Sequence, residues 1–156
     1  MMPVRIFFQS RQVIWLVVVA GLFGIFWFLV PPLSQHTPFP YAVRVGETSY
    51  ALEIAATDAE RALGLGERER LCSGCAMLFL FETKARHAFW MKGMQFPIDM
   101  VWLNDNTVVH IERRVSPESS ETYTPSGDAN QVLEANGGSF DDLDVGERVK
   151  FLFLET

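Results

Sequence analysis

The sequence predicts a mainly β fold with a minor helical part: a small antiparallel barrel or sandwich with one or two short helices, preceded by one transmembrane helix. Three observations carry this. An uncharged apolar run of helical length fills residues 13–30, prolines crowd the stretch behind it, and short alternating apolar runs separated by turn residues make up the rest.

The apolar run reads VIWLVVVAGLFGIFWFLV from Val13 to Val30. At about 1.5 Å per residue, a helix of that length nearly matches a hydrocarbon core of about 30 Å. Arg5 and Arg11 precede it and the next cation is Arg44, so the positive-inside rule puts residues 1–12 in the cytoplasm and the rest of the chain outside. Trp15 and Trp27, near the two ends, suit the interfaces. A cleaved secretory signal is the rival reading. The run exceeds a usual signal core, however, and Pro31-Pro32 follow without a small-x-small cleavage site. The expected arrangement is a single-pass inner-membrane protein with an extracytoplasmic, periplasmic C-terminal domain. Pro31, Pro32, Pro38 and Pro40 make residues 31–40 an extended linker, and residues 41–156 form the β-rich domain.

All 19 acidic residues but only 11 of the 13 basic ones lie beyond Pro40, a formal domain charge of −8. Nucleic acid needs a basic footprint, which such a domain lacks. The partners left are the lipid bilayer, through residues 13–30, and an unidentified small molecule or protein.

Within the domain, Tyr41–Val45 and Tyr50–Ala55 alternate around Gly46-Glu47 and read as a hairpin. Thr57-Asp58-Ala59-Glu60 is a capping box, so a short helix should run to Leu63 and stop at Gly64. Ala76–Phe81 is too short and too aromatic for an ordinary helix and reads as a buried strand, as do His87–Met91 and Pro97–Leu103. Pro97 stands at a strand start, where its missing N–H is tolerated. Asn104-Asp105-Asn106 is turn chemistry that joins Pro97–Leu103 to Val108–Val115 in a second hairpin. The polar stretch Ser116–Asn130 breaks the pattern, and Gln131–Ala135 and Arg148–Leu154 are the last strands.

Four blocks stand in order along the domain: Arg61-Ala62-Leu63-Gly64-Leu65, Ala76-Met77-Leu78-Phe79, Phe89-Trp90-Met91-Lys92 with Pro97-Ile98-Asp99, and Val132-Leu133-Glu134 with Gly137. Over nearly all of residues 43–154 the chain resembles the uncharacterised bacterial and archaeal family catalogued as domain of unknown function 192. It departs at Ala76, where that family usually has Gly, and at Gly66, where Met is usual. The resemblance implies a compact, mostly antiparallel β domain, often behind a signal peptide or anchor. It supplies no reaction.

The residues able to carry chemistry cluster around the Trp-Met-Lys block. Trp90, with Phe89, Met91, Met94 and Phe96, is of the type that lines apolar ligand sites, although Phe89 and Met91 read more readily as core. Lys92 and Asp99 place a cation and a carboxylate in the same segment, where they would either orient a polar ligand or pair and pin the local loop. Glu134 and Asp99 together would supply the two carboxylates of an acid–base pair acting on a sugar or ester bond; the bland reading is that such a carboxylate satisfies backbone donors in a turn. His87 and His110 lack metal-ligand spacing and read as surface or edge residues.

Cys72-Ser73-Gly74-Cys75 allows a small disulfide, thiol exchange or half a metal site. No second cysteine pair is present to complete a zinc site, the pair precedes a strand rather than a helix, and the expected compartment is oxidising. A structural loop disulfide is therefore expected, with no metal or cofactor. The leading functional expectation is a non-enzymatic extracytoplasmic module that binds a small polar ligand or a protein partner through Trp90, Lys92, Asp99 and Glu134. A hydrolase using Asp99 and Glu134, and a thiol redox protein using Cys72 and Cys75, are the alternatives.

Overall fold

The computed structural model describes residues 41–153, with the side chain of residue 153 excepted. The span expected over residues 13–30 and the linker over 31–40 lie outside the described residues. Among the described residues no helix is long and apolar enough to cross a membrane.

The first hairpin forms as its alternation requires: β1 (Tyr41–Val45) pairs antiparallel with β2 (Thr48–Ala55) across Gly46-Glu47. The capping box then starts α1 (Asp58–Leu63). The Thr57 hydroxyl accepts the Glu60 amide, and the Glu60 carboxylate accepts the Thr57 amide at 2.8 Å. Gly64 ends the helix with φ +52, a conformation that penalises a Cβ, and a Cβ there would also stand 3.2 Å from the Phe79 ring.

From α1 the chain enters β3 (Cys75–Ala85), which lies parallel to β2. Here the antiparallel expectation is corrected at one pair. A parallel pairing needs a crossover between its strands, and α1 with the loop to Cys75 provides it. β5 (Ile98–Asn104) and β6 (Thr107–Val115) form the second hairpin, with Asp105 and Asn106 in left-handed conformations (φ +47 and +70) that short polar side chains tolerate. β8 (Ala129–Asn136) inserts between β3 and β5, and β9 (Lys150–Phe153) flanks β1.

The result is one seven-stranded sheet in the order β6-β5-β8-β3-β2-β1-β9. Its edges approach each other where Thr107 bridges Arg148, with Val108 N–H donating to Glu147 C=O and Val149 N–H to Asn106 C=O. The sheet is thus a curled half-barrel, and the sandwich alternative is set aside. The strand expected at His87–Met91 shrinks to β4 (Phe89–Trp90), which pairs with β7 (Thr122–Tyr123) from inside the stretch read as patternless.

Both faces of the central strands are buried, so β3, β5 and β8 read as nearly continuous apolar runs. On the concave face Val43, Leu52, Leu78, Val101, Leu133 and Phe140 form the inner core. On the outer face Met77, Phe79, Met100, Trp102 and Val132 are covered by the chain around Leu65 and Met91. The Trp102 indole N–H donates to the His87 carbonyl at 2.8 Å, and Phe89 stands edge-on to both Phe79 and Trp102. These contacts hold the segment around Phe89 over the sheet rather than in it.

Candidate functional site

Glu134 is the centre of the outer face. In the registered sheet it lies between Met77 of β3 and Met100 of β5, and residues facing each other across strands share a face. It is 4% exposed and makes no hydrogen bond among the described residues, yet its carboxyl oxygens are not sealed from solvent. They reach a cavity of about 270 Å³ that Glu134 lines. Removal from water disfavours the charged form, and burial pushes the Glu134 carboxyl up to about 8. At neutral pH the group is mostly a neutral acid, able to donate as well as accept.

The cavity walls come from three elements. α1 and its exit supply Arg61, Leu63 and Leu65, β3 supplies Phe79 and Phe81, and the overlying segment supplies Phe89, Trp90, Lys92 and Met94. A backbone bond from Glu67 N–H to Gly93 C=O, 2.9 Å, ties the first wall to the last. Arg61 is committed to the scaffold: its guanidinium donates to the Ala56 and Leu80 carbonyls and to Asp58, and stands 5.2 Å over the Phe81 ring. The Lys92 ammonium has no hydrogen-bond or ion-pair partner among the described residues. Trp90 and Leu63, 60% and 58% exposed, flank the opening as large apolar side chains left in water.

The sequence-predicted set therefore divides. Trp90, Lys92 and Glu134 converge on one cavity, and Asp99 does not. Asp99 pairs in register with Ala135, one position along from the Met100–Glu134 pair, so its side chain leaves the sheet on the opposite face. It is fully buried, and its carboxylate accepts the amides of Arg114 (2.7 Å), Gly138 (2.9 Å) and Phe140 (2.9 Å). Two residues of β6, Arg113 and Arg114, oppose Asp99 alone across the register shift, and Arg114 takes φ +49. Asp99 thus fastens a β-bulge and the turn after β8. No Lys92–Asp99 ion pair forms. Asp99 and Glu134, on opposite faces of one sheet, cannot act together on a single bond, which removes the paired-carboxylate arrangement.

Cys72 and Cys75 are joined in a disulfide with Cα atoms 5.3 Å apart, in the turn that opens β3. Cys75 N–H donates to the Cys72 carbonyl, and the Asn136 side-chain amide donates to the Leu71 and Cys72 carbonyls. The pair braces a turn and does not line the cavity. His87 stacks on Phe81, while His110 meets the Trp102 edge and Glu112. Among the described residues no cluster of His, Cys, Asp and Glu is arranged to hold a metal ion.

Sequence reasoning missed Arg61, Leu63, Phe79 and Phe81 as cavity walls. The one signal was that Arg61, Leu63 and Phe79 fall in the four blocks, and nothing local tied those residues to Trp90.

Known proteins share the family and the fold of this domain. The sequence profile of the DUF192 family, described as Uncharacterized ACR, matches residues 41–151. A crystal structure of a protein of unknown function from Novosphingobium aromaticivorans is similar at 28% identity, with 78% of this chain and 90% of that one covered and a TM-score of 0.67. A candidate transcription regulator from Sinorhizobium meliloti, 24% identical over 71% of this chain and 91% of its own, has the same fold at a TM-score of 0.66. No protein of curated function matches the chain.

Proposed function

We propose, from the premise that the chain belongs to the DUF192 family, that it is a membrane-anchored, extracytoplasmic binding module whose outer-face cavity takes a small ligand. The observation that carries this reading is Glu134: a buried carboxyl with no hydrogen-bond partner among the described residues, at a cavity whose walls are otherwise mostly apolar. A polar group so placed is costly unless solvent or a ligand satisfies it, and a cavity of this kind admits a ligand in place of solvent. Trp90 and Leu63 offer exposed apolar contact area, and Lys92, unpaired among the described residues, offers a cation to a polar end of the ligand.

The reading is tested by thermal shift on the full chain in detergent against a panel of small organic molecules. A ligand at 100 times its dissociation constant stabilises by about 2.7 kcal/mol. The expected result is at least one compound whose shift is lost in both Trp90→Ala and Glu134→Gln and kept in Val145→Ala, an exposed apolar position away from the cavity. Shifts that survive the first two substitutions would place binding elsewhere.

The anchor is supported by the uncharged run at residues 13–30 and the arginines before it. The protein is expected to stay with the membrane pellet through carbonate and high-salt washes. Recovery of a soluble form beginning near residue 35 would identify a cleaved signal instead.

A further inference from the structure

The chemical class of the ligand follows from the choice of side chain at the base of the cavity. A ligand that needed only a neutral hydrogen-bond partner would be served by glutamine or threonine, neither of which risks a buried charge. What a carboxyl adds is the capacity to become an anion. An anion among apolar walls is stabilised best against a cation, and among the described residues no side chain pairs with Glu134 to provide it. Arg61 is held by Asp58 and two backbone carbonyls, Lys92 is exposed and makes no ion pair with Glu134, and Met77 and Met100 flank Glu134 on either strand. The walls point the same way. Phe79, Phe89 and Trp90 line the cavity, and aromatic faces attract organic cations by about 0.5–2 kcal/mol each.

We propose that the cavity binds a small organic ammonium compound, its cationic group seated among Phe79, Phe89 and Trp90 and paired with the Glu134 carboxylate. The proposal rests on the cavity being a ligand site. The two cations nearby do not oppose it strongly: Arg61 is neutralised by its ion pair, Lys92 is screened by solvent, and the domain as a whole carries 19 acidic against 11 basic residues. Binding converts Glu134 from neutral acid to carboxylate, so the proton leaves to solvent as the ammonium enters.

Three isosteric probes test the charge directly: choline, 3,3-dimethylbutan-1-ol and 3,3-dimethylbutanoate, each titrated calorimetrically into the full chain in detergent at pH 6 and pH 9. Choline is permanently charged, so any pH effect on its binding belongs to the protein. The expected result is that choline binds best of the three at pH 9, at least tenfold more weakly at pH 6, and releases a proton at pH 6. Glu134→Gln should abolish the pH dependence and weaken choline to the level of the alcohol. If the alcohol or the carboxylate binds as tightly as choline at pH 9, with Trp90→Ala weakening it, the cavity is a ligand site and the ammonium assignment is overturned. If none of the three binds while the thermal-shift panel yields a compound whose effect Trp90→Ala and Glu134→Gln abolish, the ammonium assignment is overturned and the cavity remains a ligand site; if the panel fails as well, both readings fall. Choline binding that Glu134→Gln leaves unchanged also overturns the assignment.

Discussion

Replacing Asp99 with alanine should lower the unfolding free energy by about 4 kcal/mol, summing a net loss of about 1–3 kcal/mol for each donor left without its acceptor. Three backbone amides, from Arg114, Gly138 and Phe140, converge on this carboxylate. They belong to segments that cannot satisfy themselves: Arg114 sits in a bulge with φ +49, and Gly138 turns at φ +90. The loss should be felt beyond the site, because the turn carries Phe140 into the inner core, where its ring meets Tyr50 edge-on and the Tyr50 hydroxyl donates to the Ser139 carbonyl at 2.6 Å. Asp99→Asn keeps one acceptor oxygen and should lose about half as much. Urea denaturation of the two variants beside the parent checks this. An alanine variant within 1 kcal/mol of the parent, on the scale of an ordinary surface substitution, would mean the bulge and turn hold themselves.

Glu134→Gln should act in the opposite direction, and only as the pH rises. The folded carboxyl titrates near 8 against an ordinary value of 4.5, so between those values the folded state holds a proton that the unfolded state has lost. Stability from this group is fully present below pH 4.5, declines through the interval and is gone above about 8. A gap of about 3.5 pH units at about 1.4 kcal/mol each is roughly 5 kcal/mol. That figure is an upper bound, because solvent in the cavity offsets part of the burial. Glutamine does not titrate. The variant should match the parent at pH 4.5 to within the cost of an unsatisfied amide, and exceed it by several kcal/mol at pH 9. Denaturation at pH 4.5, 7 and 9 reads the difference directly; a constant offset at all three would mean that Glu134 titrates normally in the folded protein. The two substitutions thus separate two carboxylates that looked like one pair: one holds the fold together, and the other strains it at alkaline pH.

Much of the fold was legible because its signals are short-range. The Thr57–Glu60 capping box and its stop at Gly64, the hairpin over Gly46-Glu47 and the left-handed Asp105-Asn106 turn each depend on contacts within a few residues. The short β4–β7 ribbon was not legible, since Phe89 and Tyr123 owe their pairing to the segment lying over the outer face rather than to any run of alternation. The parallel β2–β3 pair was missed for a related reason. Alternation identifies a strand but carries no information about the direction of its neighbour.

The sequence by itself determined that the domain is β-rich, the order and approximate places of most of its strands and of its helix, and that Trp90, Lys92 and Glu134 are residues worth following. Only the tertiary structure decided that these three share a cavity while Asp99 does not. Side chains alternate faces at every step along a strand, so a shift of one residue in the β5–β8 register would have set Asp99 opposite Glu134 on one face. That register is set by packing across positions 28 to 38 residues apart, where no local pattern reaches.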